Sequence, residues 1–147
     1  MNRQISKTRL HAMRFVYLGT GIGVGVDVWP ALINRSTPWD PLHGIAYSFW
    51  AAYSALMLWG VRFPVRMLPL MLLQLFYKLT WLIAVAYPLW SAGPLSPLAL
   101  ALVKVCSIAV AMDLIVIPWP YVFEKYVKEI FQPAAGRGSL TALPLTH

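Results

Sequence analysis

Four apolar runs, at about residues 15–33, 44–61, 67–87 and 98–117, take up most of this chain of 147 residues. Each is close to the ~20 residues that a helix needs to cross a hydrocarbon core about 30 Å thick. The expected fold class is therefore all-α integral membrane: a four-span antiparallel transmembrane helical bundle, formed as one domain within residues 1–132. Composition agrees, since 59% of residues are hydrophobic and 12% charged, against about 25% charged in a soluble domain. The spans and their short connections leave no room in this stretch for a soluble catalytic domain.

The net charge of +7 could suggest a nucleic-acid partner. Its distribution argues for a lipid bilayer instead. Arg3, Lys7, Arg9 and Arg14 precede the first run, Arg62 and Arg66 lie between the second and third, and Lys125, Lys128 and Arg137 follow the fourth. With four crossings these all fall on one side, and the opposite side keeps only Arg35. That bias predicts both termini in the cytoplasm, in a membrane of the bacterial inner type. Basic residues flanking a span meet anionic head groups, so no nucleic acid is expected. Trp29, Trp39 and Trp90 fall at the predicted outer interface and Trp59 and Trp119 at the inner one, as an aromatic belt requires.

The first run lacks an A-x-A-like cleavage site and contains Asp27, so it is expected to be a retained span. Asp40-Pro41 reads as an N-cap followed by proline at the first helical position. After Pro118 and Pro120, Trp119, Phe123, Tyr126, Val127 and Ile130 fall on one helical face. Glu124, Lys125, Lys128 and Glu129 fall on the other, in two i,i+4 pairs. This predicts a C-terminal amphipathic interfacial helix at about 119–131. Residues 133–147 show no periodic pattern and are expected to form a flexible cytoplasmic tail.

Gly19, Gly21, Gly23 and Gly25 interleave in the first run. They do not complete a dinucleotide fingerprint, and no Walker-type lysine follows. Gly19/Gly23 and Gly21/Gly25 are instead two GxxxG pairs, which predict close helix packing.

Ionisable residues inside the spans are the candidates for function. Depth arithmetic at 1.5 Å per residue puts Asp27 and Lys104 each roughly 5 Å to the outer side of its span's midpoint. Lys78 is near the centre, and Asp113 is roughly 8 Å to the inner side. Asp27 with Lys104 is the best-matched pair, and Lys78 can reach Asp113. Lys104 and Asp113 are about 180° apart around one helix, so they cannot face the same neighbour. These residues are read either as a buried charge network that fixes helix order or as an ion or proton pathway.

His43, Tyr47, Trp50 and Ser54 share one face of the second run. Gln74, Lys78 and Trp81 share one face of the third. Two stripes facing each other would line a cavity suited to a quinone or lipid head group; otherwise they are hydrogen bonds within a dry bundle. His11, His43 and His147 are too far apart for haem, and Asp40 with His43 falls short of a metal site. Cys106 is the single cysteine. The serines at 48, 54 and 107 have no base nearby. No metal, cofactor or catalytic residue is expected.

The leading expectation is a small non-enzymatic accessory or interaction subunit, partnered by another membrane protein or by its own copies as a homo-oligomer. The alternatives are an ion- or proton-linked carrier or channel using Asp27, Lys78, Lys104 and Asp113, and a lipid- or quinone-binding membrane enzyme.

Overall fold

The protein is described by a computed structural model covering residues 5–34 and 38–127. Helix α1 spans Lys7–Ile33, α2 Pro41–Arg62, α3 Leu68–Trp81, α4 Tyr87–Ala92, α5 Pro97–Val116 and α6 Trp119–Val122. A π-helical segment, Leu82–Ala86, joins α3 to α4 without a break, and another, Phe123–Val127, follows α6. No strand occurs among the described residues.

Local chemistry sets the helix ends. Ser6 caps α1 by accepting a bond from the Arg9 N–H. The helix therefore starts well before the apolar run and reaches 27 residues. Asp40 accepts bonds from the N–H groups of Leu42 and His43 at 3.0 and 3.2 Å, with Pro41 at the first helical position. Ser96 does the same for α5 through the Ala99 N–H, again with proline next in line. Each cap satisfies N–H groups that have no partner within the helix.

Three helical stretches are long and apolar enough to cross a membrane: Lys7–Ile33, Leu68–Ala92 and Pro97–Val116. Of the four predicted spans, the second differs. Helix α2 has the length, at 22 residues, but His43, Tyr47, Ser48, Tyr53 and Ser54 dilute its aliphatic content.

The described chain divides into two units, residues 5–117 and a segment that begins at Pro118. In the first unit α1 packs along α2 and α3 packs on α5, with lighter contacts between α2 and α3 and between α1 and α5. The four long helices thus follow one another around a bundle, in which short connections make successive neighbours antiparallel. Its centre holds Met13, Val16 and Tyr17 of α1, Ala51 and Met57 of α2, Leu68, Met71 and Leu75 of α3, and Val110 of α5. Phe15, Ile22, Val26, Phe76, Ile83, Val105, Ile108 and Ile115 point outward. Large apolar side chains over most of the outer surface suit an acyl-chain solvent.

Glycines set the α1–α2 distance. A Cβ on Gly60 would lie 2.5 Å from the Tyr17 ring, and one on Gly21 would lie 2.8 Å from the Leu58 side chain. The Tyr17 hydroxyl then donates to the Pro64 carbonyl at 3.0 Å, tying α1 to the turn after α2. The two GxxxG pairs are not equivalent. Gly21 and Gly25 face α2, with Ser54 within 3.8 Å of a Cβ built on Gly25, while Gly19 and Gly23 have nothing within 4 Å.

In the second unit, Trp119 and Phe123 rings lie 6.2 Å apart, and the Lys125 ammonium donates to the Tyr121 hydroxyl at 3.2 Å. Of the predicted interfacial helix, 119–127 is helical. Lys128, Glu129 and Ile130 lie outside the described residues, as do Arg3, Arg35, Arg137, His147 and the predicted tail 133–147.

Candidate functional site

One polar chain crosses the bundle from α2 through α3 to α5. The Tyr53 hydroxyl donates to the Gln74 side-chain carbonyl in a short hydrogen bond. The Gln74 amide donates to both carboxylate oxygens of Asp113, at 2.9 and 2.7 Å. Gln74 and Asp113 have 0% of their surface exposed and Tyr53 2%. No buried side-chain nitrogen or oxygen among the described residues lacks a hydrogen-bond partner. The amide orientation follows from this pattern, because a flipped Gln74 would set its carbonyl oxygen against two carboxylate oxygens.

Lys78 lies one helical turn beyond Gln74 on the same face of α3, with 6% of its surface exposed. Its ammonium sits 5.8 Å from the centre of the Tyr77 ring, and Asp113 lies across from it on α5. No direct ion pair joins the two. Cys106, two turns from Asp113 on α5, is half-buried. The site therefore holds one acid and one base in the bundle interior, with the Gln74 amide bonded to the acid and the Tyr53 phenol bonded to that amide. Such a chain can hold charge in a dry interior.

The structure sorts the expected residues differently from their depths. Lys78 and Asp113 come together with Gln74. Asp27 and Lys104, the best-matched pair by depth, are exposed, and no ion pair or hydrogen bond joins them. Lys104 lies on the side of α5 opposite Asp113, as the spacing of nine residues requires.

The stripe on α2 does not face the stripe on α3. Ser54 accepts a hydrogen bond from the Trp29 indole at 3.1 Å and donates to the Ala51 carbonyl, so it belongs to the α1 contact. His43 stacks on Tyr47 with ring centres 4.6 Å apart, and Trp39 and Trp50 extend the row at 4.7 and 5.5 Å from Tyr47. His43 and Trp50 are exposed, so the row is an aromatic ladder along α2 and not a cavity wall. Trp81 is half-buried and makes no bond to the polar chain.

Sequence reasoning missed Tyr53. It follows Phe49 and precedes Met57 on an apolar face, where a tyrosine counts as one more large ring. Its hydroxyl was the available signal, since a phenol at mid-span needs a partner.

An apolar groove of about 310 Å3 runs beside the π-helical segment, lined by Leu82, Ala86, Tyr87, Trp90, Leu100 and Val103 among others. The described residues contain no group of three His, Cys, Asp or Glu side chains that could hold a metal ion. Compared with protein-family models, curated proteins and solved structures, the chain finds no match.

Proposed function

We propose that this chain is a non-enzymatic multi-pass membrane protein that works as a subunit of an assembly within the bilayer. The observation that carries this reading is the pair of ionisable residues, Asp27 and Lys104, exposed on apolar helices without an ion-pair or hydrogen-bond partner among the described residues. A charge at the centre of a span costs roughly 2.5–3.5 kcal/mol on insertion scales. Asp27 lies roughly 9 Å from the end of α1 and Lys104 roughly 10 Å from the start of α5. A lysine can extend toward the head groups; an aspartate side chain is too short to do so. A protein partner offsets the cost for both.

In this reading α2 is the fourth crossing, sheltered along one side by α1. Both termini lie on the cytoplasmic side of a bacterial-type inner membrane, on the argument of the basic flanks. The residues after Pro118 suit an interfacial helix along the same side. Extraction in mild detergent, followed by native gel electrophoresis and mass spectrometry, tests the reading. The expected result is a species well above the mass of one chain. A monomer at every detergent concentration would overturn it.

The buried acid and base, Asp113 and Lys78, favour a second reading, a proton-linked carrier. Purified protein in proteoliposomes carrying a pH dye would then acidify the lumen under an imposed gradient, and Asp113→Asn would stop it. Equal rates with and without protein would remove this reading.

A further inference from the structure

We propose that the outward face of α1 bearing Gly19, Gly23 and Asp27 docks on the Lys104 face of α5 in a second copy of this chain. Asp27 of each copy then pairs with the partner's Lys104. The inference rests on the reading of the chain as a subunit and names the partner.

The charges set the choice. Asp27 and Lys104 sit at nearly the same depth, roughly 9 and 10 Å below the outer ends of their helices. Both are exposed, and no ion pair joins them within the chain. Lys104 points away from the bundle interior, because Asp113, nine residues on, points into it. A contact of α1 with α1 would set Asp27 against Asp27, and one of α5 with α5 would set lysine against lysine. Only α1 against α5 brings opposite signs together at one depth. Each chain carries both halves, so the surface is self-complementary, as a two-fold contact requires.

Shape agrees with charge. Gly19, Gly23 and Asp27 form one ridge at intervals of four residues, and a Cβ on either glycine would meet nothing within 4 Å. The chain's other glycine pair, Gly21 and Gly25, already faces α2. Around Lys104 the exposed neighbours include the small Ala101, Ser107 and Ala111 beside the larger Leu100 and Ile108. The glycine ridge of α1 leaves room for the side chains of that mixed α5 face, in a membrane where dispersion contacts drive association. The approach also brings a short aspartate within reach of the ammonium.

The test uses two full-length copies with different tags, both carrying Cys106→Ser and expressed together. One carries Asp27→Cys and the other Lys104→Cys, so any disulfide between them is intermolecular. Mild oxidation of native membranes is expected to give a product containing both tags at twice the chain mass. Gly23→Ile in the first copy is expected to abolish that product. In unmodified chains, Asp27→Lys or Lys104→Asp alone should lose the dimer on a native gel, and the two together in one chain should restore it. No mixed-tag product and no rescue, with a larger species still present on the gel, would overturn the self-association but leave the subunit reading standing. Absence of any species above the monomer would overturn both.

Discussion

Gly60 and Gly44 tolerate a methyl group very differently. At Gly60 the new Cβ would press into the Tyr17 ring at 2.5 Å, whereas at Gly44 it would meet nothing within 4 Å. Gly60→Ala is therefore expected to lower stability in detergent by about 1–3 kcal/mol through overpacking. Gly44→Ala should stay within about 1 kcal/mol of the parent, the range of helix propensity. Thermal unfolding of the two variants side by side checks this, and equal melting points would contradict the packing. The same scale governs the polar chain. Gln74→Leu removes the amide that serves both Tyr53 and Asp113. A loss of roughly 1–3 kcal/mol is expected for each group left buried without a partner. Adding Asp113→Leu should recover part of that loss, because the stranded carboxylate disappears. If the double variant loses at least the sum of the two singles, Gln74 and Asp113 are not coupled.

Among the elements, the π-helical segment Leu82–Ala86 has the clearest consequence. A π-helical turn holds one more residue than the α-helix it interrupts. Deleting Ala84, which is exposed, should let the segment close to an α-helix with little displacement of α3 or α4. Deleting Ala109 from α5 should instead rotate the rest of that helix by about 100° and take Asp113 away from Gln74. The expected outcome is a membrane-inserted, detergent-stable protein from the first deletion and an unstable one from the second. Similar melting curves for both would count against the extra residue. The segment was not legible beforehand, because LIAVA carries no glycine, proline or polar residue to mark it. Helix existence was legible from apolar runs and from the Asp40-Pro41 signal. Facing was not, because in an apolar helix almost every side is equally hydrophobic. Depth alone matched Asp27 with Lys104, whereas packing joins Gln74 to Asp113.

For the whole molecule, the open question is how the least aliphatic helix meets the bilayer. Three stretches qualify as spans on length and composition, and α2 does not. Yet α1 covers α2 more closely than any other helix does, so its polar groups need not meet lipid. Ser54 is bonded to Trp29, and Tyr53 to Gln74. A crossing α2 puts Trp39 and Phe63 on opposite sides of the membrane. In a Cys106→Ser background, Trp39→Cys should react with an impermeant maleimide added from outside, and Phe63→Cys should react only after the membrane is opened. Labelling of both from one side would mean that α2 does not cross.

The hydrogen bond from Tyr17 to Pro64 spans 47 positions of sequence, and this separation has a consequence for synthesis. On the ribosome, α1 emerges long before its acceptor exists. The α1–α2 hairpin can lock only after the turn that follows α2 has left the exit tunnel. From that moment both of its helices are complete, with Gly60 already seated against the Tyr17 ring. The hairpin can then be a finished piece while α3 is still inside the tunnel. Gln74 and Asp113 later have to find Tyr53 on a surface that is already in place. The order of translation is thus the order in which the bundle is assembled, with the polar chain closed last by α5.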